Sequence, residues 1–491
     1  LNSVLTLNPD ALATAKALDL ERQVSGPRSL LHGIPILLKD NVDTVGLPTT
    51  AGSVALAGSI PPDDATIAKQ LREAGAIILG KTNLTEFANF LTNGMPAGYS
   101  SLGGYVFNPY NPAALPGGDG RPVLSPGGSS AGSGASIAAN LAVLAIGTET
   151  SGSILSPANQ NSLVGIKPTV GLTSRDGIIP IAATQDVPGP MARTVADAAI
   201  MLGALTGIDL KDPATQASDG KFFTDYTPFL KLDGLSGKRI GVPRGTYTAN
   251  LPADQLAIFN KSIDVMRSLG ATVVDVDLLS SLPGSIILSY EFKRDLNAYL
   301  ASLGPDAPVK TLQDVINFNN ANASVALKYG QTQAISSQNR DLNPGSADTT
   351  RYLQDLANSE LFARQQGIDK TINDNQLDAL FFVGTRGAGI AARAGYPSII
   401  VPAGYLNNGA PLGMTFTGKA FSEASLIELA YAYEQATLAR RAPTSVPMLP
   451  GEVKVVPEPN ITFGLSGVAL ALAMAGRRKR QVQGVGVKTT C

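Results

Sequence analysis

Two of the side chains most used for chemistry are almost missing from this chain. Its 491 residues contain one histidine, His32, and one cysteine, Cys491, the last residue. A lone terminal cysteine excludes an intrachain disulfide framework, a cysteine-rich zinc site and a buried cysteine nucleophile. A lone histidine leaves imidazole, the usual proton acceptor at neutral pH, available at one position only. Charge is scarce as well: 16% of residues are charged, the formal net charge is -1, and 44% are hydrophobic. This balance supplies ample core and excludes a disordered or nucleic-acid-coating protein. There is no internal repeat and no low-complexity run. The chain begins at Leu1 rather than methionine, which is read as the loss of an upstream segment that would hold any export signal.

The length exceeds the usual single-core ceiling, but one extended sheet covered by helices reaches this size without splitting. The reading is a domain over residues 1–445, a linker over 446–460 with a Pro-Glu-Pro motif, and a separate tail over 461–491. Residues 63–90 read as a helix (65–74), a strand (76–79) and a second helix capped near Thr82 or Asn83 with Thr85 and Glu86 in its first turn. The apolar run 135–146 reads as a helix buried on all sides. A helix over 194–205 with Thr194 as cap, strands at 239–242 and 272–276 around a helix at 253–269, strands at 380–383, 398–401 and 413–416, and a helix at 423–439 complete an α/β pattern. Residues 337–350 are turn-rich and read as a loop within an insertion at roughly 280–370 that faces the substrate. The fold class is α/β, a large mixed β-sheet covered by helices on both faces.

Two serine-glycine clusters stand out: Gly127-Gly128-Ser129-Ser130-Ala131-Gly132-Ser133 and Thr148-Glu149-Thr150-Ser151-Gly152-Ser153, downstream of Lys39 in Leu37-Leu38-Lys39-Asp40-Asn41. A glycine-serine loop before a helix also suits a phosphate cradle. A P-loop, however, ends in lysine followed by serine or threonine, and Gly132-Ser133-Gly134-Ala135 has neither. A linker is excluded by the long apolar run that follows at once. A serine hydroxyl is a weak nucleophile until a neighbour takes its proton, and with imidazole confined to His32, lysine is the natural base. His32 reads as structural, Ser130 and Ser133 as residues that orient the loop, and Asp186 with Arg193 as a supporting ion pair.

Together these segments resemble the amidase signature family over residues 1 to about 445. The resemblance extends through Gly33 to Asn41, both clusters, Gly165-Ile166-Lys167-Pro168-Thr169 and Asp186-Val187-Pro188-Gly189-Pro190-Met191-Ala192-Arg193-Thr194. It lies nearest the peptide-amidase-like branch, on the Thr-Glu-Thr-x-Gly-Ser cluster and Phe318-Asn319-Asn320-Ala321-Asn322-Ala323. The resemblance implies that Ser153 is the acyl-forming nucleophile, that Ser129 is a bridging serine after a cis peptide bond, and that Lys39, next to Asp40, is the terminal base held neutral by burial. It implies an oxyanion hole of backbone amides from Thr150, Ser151, Gly152 and Ser153, with Gly127, Gly128 and Ser130 supporting the loop. Ser151 stands where many relatives carry aspartate or glycine, and Ala131 replaces a common glycine. Thr184 and Gln185 are expected to line the acyl pocket. The expected substrate is a small-molecule or peptide amide, with no metal, cofactor or nucleic acid. The alternatives are a glutaminase subunit of an amidotransferase and an inactive binding module of the same fold.

The tail differs in kind. Val456-Pro457-Glu458-Pro459 precedes an apolar stretch over 461–475, then Arg477-Arg478-Lys479-Arg480. Residues 461–491 hold five basic and no acidic side chains, so the rest of the chain is mildly acidic. A span of hydrocarbon needs about 20 apolar residues, so this stretch is at the short end, with arginines able to snorkel. The arrangement resembles a bacterial PEP-CTERM sorting signal. That implies export to the cell envelope or beyond, transient membrane insertion and removal by a sorting protease.

Overall fold

Short runs of residues buried on both faces gather into one sheet. The structure is a computed structural model that describes residues 1–446. Eleven of the described strands form the sheet: β1 (Val4–Leu7), β2 (Pro35–Lys39), β3 (Ile77–Thr82), β4 (Leu144–Glu149), β5 (Val164–Lys167), β6 (Val187–Ala192), β7 (Arg239–Pro243), β8 (Thr272–Val276), β9 (Ala379–Val383), β10 (Ser398–Tyr405) and β11 (Pro411–Thr417). Their order is β1-β3-β2-β4-β6-β5-β10-β11-β9-β7-β8. β2 runs parallel to β3 and β4, and β7 parallel to β8 and β9, while neighbours from β4 through to β9 pair antiparallel.

Successive side chains of a strand point to opposite faces. Ile36 and Leu38, Leu144 and Ile146, and Ile399 and Val401 join one core, covered by helices Thr66–Glu73, Val195–Leu205, Ala253–Ser268 and Glu423–Thr437. Leu37, Ala145 and Ile400 join the core on the other face, under helices Ala131–Ala138 and Leu155–Gln160. Burying one aliphatic side chain is worth about 1.5–3 kcal/mol. Strands covered on both faces gain this at nearly every position, which is why they read as continuous apolar runs. The expected class, a large mixed sheet with helices on both faces, is the observed one. Thr194 caps its helix as read, with its Oγ1 accepting from the Asp197 amide at 3.1 Å.

Three local expectations change. The run 135–146 is not one helix: the helix stops at Ala138, Asn140 turns with φ 61°, and Leu144 starts β4. A buried strand and a buried helix are equally apolar, so periodicity does not separate them. The helix expected after Thr82 is confined to Glu86–Asn89, and Phe87, Ala88 and Asn89 are left-handed. There the buried Glu86 carboxylate takes the Ser101 amide (2.7 Å) and hydroxyl (2.9 Å), and the Phe87 amide bonds to the Ala51 carbonyl. The loop expected over 337–350 shrinks to the stretch between helices Thr332–Gln338 and Ala347–Ser359, the latter capped by Ser346 Oγ. The insertion places helices Ile287–Ser302 and Leu312–Ala321 in a separate core, where Phe292, Leu296 and Val315 meet Phe87, Phe90, Ile179 and Ile181.

The Pro-Glu-Pro motif and the tail of 461–491 lie outside the described residues. Among the described residues no helix is long and apolar enough to cross a membrane. Gly132, at the start of Ala131–Ala138, is pressed against other backbone: a Cβ there would meet the Asn83 carbonyl oxygen at 2.3 Å and the Ser3 carbonyl oxygen at 2.4 Å. Gly132→Ala is therefore expected to destabilise the fold by about 3 kcal/mol or more, seen as a lower midpoint in thermal or urea denaturation.

Candidate active site

The site forms where the carboxyl ends of two parallel strands meet a helix start. Lys39 is the last residue of β2 and shares a face with Leu37, the face covered by Ala131–Ala138. Ser129 lies just ahead of that helix, after a cis Gly128–Ser129 peptide. The register pairs Leu38 with Ile146, so the end of β4 brings Thr148 and Glu149 alongside. Lys39 Nζ bonds to Ser129 Oγ at 2.6 Å, to Thr148 Oγ1 at 2.9 Å and to the Thr148 carbonyl at 3.2 Å. Both Lys39 and Ser129 are fully buried. Burial pushes the amine down to about 7, while the negative charges of Asp186 and then Glu149 pull it back up.

Among the described residues three lysines, Lys39, Lys81 and Lys167, are fully buried, and the company each keeps separates them. Lys81 pairs with Asp40 at 3.3 Å, and Lys167 donates to the Tyr396 carbonyl at 2.9 Å. Only Lys39 bonds to a serine hydroxyl. Asp40, adjacent to Lys39 in sequence, is not its electrostatic partner: it also takes the amide and hydroxyl of Thr50.

Ser153 sits on a turn clamped by Glu149. The carboxylate accepts the amides of Gly152 (2.7 Å), Ile154 (2.8 Å) and Leu155 (3.0 Å). Gly152 takes φ 82°, the left-handed form that glycine adopts at least cost. Ser130 fastens the turn to the first cluster, its amide and Oγ both donating to the Ser153 carbonyl at 3.1 and 2.6 Å. Ser133 Oγ donates to the Ile146 carbonyl at 2.9 Å. Gly127 backs onto Pro157 and Gly128 onto Thr85. Ser153 is 8% exposed, less buried than Ser129, and its hydroxyl makes no hydrogen bond among the described residues.

Several expectations about the site need correction. The Gly152 amide is committed to Glu149, so it leaves the set of four amides assigned to an oxyanion hole. Those of Thr150, Ser151 and Ser153 make no turn or loop hydrogen bond among the described residues. Asp186 does not face Arg193. It accepts Thr150 Oγ1 at 2.5 Å and the amides of Ile181 and Ala182 at 2.8 and 2.9 Å, and its neighbouring cation is Arg175. Arg193 donates to the Ala142 and Ile137 carbonyls at 3.0 and 3.3 Å. Thr184 turns to Glu291, which accepts both its amide (3.1 Å) and its hydroxyl (2.8 Å), and Gln185 is buried with its amide on the Ala182 carbonyl. His32 is structural: Nε2 bonds to the Leu18 carbonyl at 2.9 Å and Nδ1 accepts from the Arg28 amide at 3.1 Å.

Glu149, Thr148 and Asn41 went unassigned from sequence. Their signal was positional, polar residues at strand ends beside the clusters, and only the strand register shows that they meet.

The structure thus places a buried amine against one serine, and a second serine on a clamped turn, at the ends of parallel strands of an α/β sheet. Residues 1–427 match the family described as Amidase. The native peptide amidase from Stenotrophomonas maltophilia superimposes with a TM-score of 0.82 at 42% identity, covering 90% of each chain. A probable amidase of Arabidopsis thaliana is 41% identical over 454 residues, 90% of this chain and 84% of that one. One component of the glutamyl-tRNA(Gln) amidotransferase of Rippkaea orientalis is 32% identical over 466 residues, 89% of this chain and 90% of that one. The chain belongs to the amidase family, and it is an enzyme that hydrolyses carbon–nitrogen bonds of amides.

The Glu149 clamp is testable on its own. Glu149→Gln replaces a charged acceptor of three amides with a neutral one and turns an NH2 group toward N–H donors. The loss is expected to be about 2 kcal/mol, read from denaturation.

Proposed function

We propose that Ser153 attacks the carboxamide carbonyl, that Ser129 bridges its proton to Lys39, and that amidated peptides are the preferred substrates. The observation that carries this reading is the 2.6 Å contact between a fully buried lysine amine and Ser129. An amine held near 7 by burial is neutral in a large fraction at neutral pH and accepts a proton. As Ser153 Oγ bonds to the carbonyl carbon, its proton passes to Ser129 Oγ and the Ser129 proton to Lys39 Nζ. The oxygen that gains charge is met by the amides of Thr150, Ser151 and Ser153. Lys39 returns the proton to the departing nitrogen, leaving an acyl group on Ser153. Water then attacks the acyl carbon, its proton passing to Lys39; as the bond to Ser153 Oγ breaks, that proton returns through Ser129 to Ser153 Oγ and the acid is released. The preference for amidated peptides draws on the likeness to a peptide amidase.

The test is ammonia release by the isolated chain from amidated peptides, aliphatic and aromatic amides and glutamine. Amidated peptides are expected to turn over fastest, Ser153→Ala to stop turnover, and kcat/KM to rise through about pH 7 as Lys39 loses its proton. Undiminished turnover by Ser153→Ala contradicts the assignment. Glutamine hydrolysis that appears only with a second protein chain favours the amidotransferase reading, which the likeness to an amidotransferase component keeps in play. No turnover of any amide favours a binding module.

For the tail we infer a sorting signal on an exported enzyme. The support is the order of Pro-Glu-Pro, apolar stretch and basic cluster in the sequence. The C-terminal mass of the protein from cell fractions decides it. Envelope or secreted protein is expected to end before Arg477, and full-length protein confined to the cytoplasmic fraction contradicts the inference.

A further inference from the structure

Two cavities lie next to one another behind Thr148. The inner one, about 10 Å³, is lined by Asn41, Thr148, Thr150, Arg175, Asp186 and apolar neighbours. That is about the room one water needs. The outer one, about 360 Å³, opens to solvent and shares Arg175, Ile178 and Asp186 with the inner.

Two residues of that lining, Asn41 and Thr148, have hydrogen-bonding capacity left to satisfy. Asn41 is 2% exposed; its Nδ2 donates to Thr148 Oγ1 at 3.0 Å and to the Ile179 carbonyl at 3.4 Å, and its Oδ1 has no partner among the described residues. A bare buried amide oxygen costs about 1–3 kcal/mol. Thr148 Oγ1 accepts from both Lys39 and Asn41, so its own proton remains to be donated. Asp186 Oδ1 accepts one hydrogen bond, from Thr150, and has capacity for another.

We propose that one ordered water occupies this cavity, accepts from Thr148, donates to Asn41 Oδ1 and to Asp186, and makes Asp186 a positioning residue that acts on Lys39 through Thr148. Its presence at the Thr148 end steadies the protonated amine, because a hydroxyl that donates to a water held by a carboxylate is a better acceptor from Lys39. The charged groups around the path are Glu149 and Asp186 toward Lys39, and Arg175 toward Asp186, with Asp212 and Asp295 acting on Arg175. Asp186 is partly exposed, as a group that borders the outer cavity must be.

The inference rests on Lys39 as the base, and its test has two readouts. A crystal structure of the unmodified protein decides the water whether or not Lys39 is the base: density between Thr148 Oγ1 and Asn41 Oδ1 is expected, and none overturns the proposal. The acid limb of kcat/KM decides the coupling. Asp186→Asn removes an anion that favours the charged amine, so the limb is expected to move to lower pH by about half a unit or more. In a Thr148→Val background the same change is expected to move it much less, and in Thr148→Ser, which keeps the hydroxyl, as much as in the unmodified enzyme. Equal shifts with and without the hydroxyl mean that Asp186 acts through space alone, and overturn the proposal. Absence of the limb from the unmodified enzyme instead counts against Lys39 as the base.

Discussion

The burial of one amine organises this site. A lysine side chain is ordinarily charged, and moving it out of water costs several kcal/mol unless it is paired or neutral. Lys39 has no carboxylate within ion-pair distance among the described residues; it has two hydroxyls and a carbonyl. Hydroxyls accept from an ammonium and donate to a neutral amine, so this shell serves both protonation states. A carboxylate in the same place would hold the charged form. The absence of a direct ion pair thus leaves neither protonation state of the amine fixed by a neighbouring charge.

The other buried lysines show the contrast. Lys81 is held against Asp40 and bonds to Thr49 Oγ1 at 2.8 Å and the Pro48 carbonyl at 3.0 Å, tying β3 to the turn after β2. Breaking one partner of such a buried pair leaves an uncompensated charge, a structural penalty of about 3–5 kcal/mol. Lys167 bonds to main-chain carbonyls beside β10. These two lysines fix geometry. Glu149 and Ser130 do the corresponding work for Ser153, one by gathering amides of the turn and the other by holding its carbonyl.

Much of this was legible in the sequence, for identifiable reasons. Strands covered on both faces announce themselves as apolar runs, and Thr194 before a helix announces a cap. A scarcity of histidine leaves few ways to activate a hydroxyl and points to a lysine, whereas the roles of Ser129 and Ser153 within the two glycine-serine clusters came from the resemblance to the amidase signature family. What could not be read was anything that depends on which strand lies beside which. The run 135–146 divides into helix and strand because β4 must fit between β2 and β6. Asp40 looks like the neighbour of Lys39 in sequence, but strand alternation and the approach of β3 give it to Lys81. Asp186 and Arg193 are close in sequence, yet Asp186 is drawn to Thr150 and to the amides of Ile181 and Ala182. The Gly152 amide looked free until the reach of Glu149 was known.

The most direct test of the central claim is covalent labelling by a serine-reactive fluorophosphonate, with the site located by peptide mass mapping. The account predicts one label, on Ser153, forming faster as pH rises through about 7 and suppressed in Lys39→Ala. A label on another residue, or labelling of Ser153 unaffected by loss of the lysine, would contradict it.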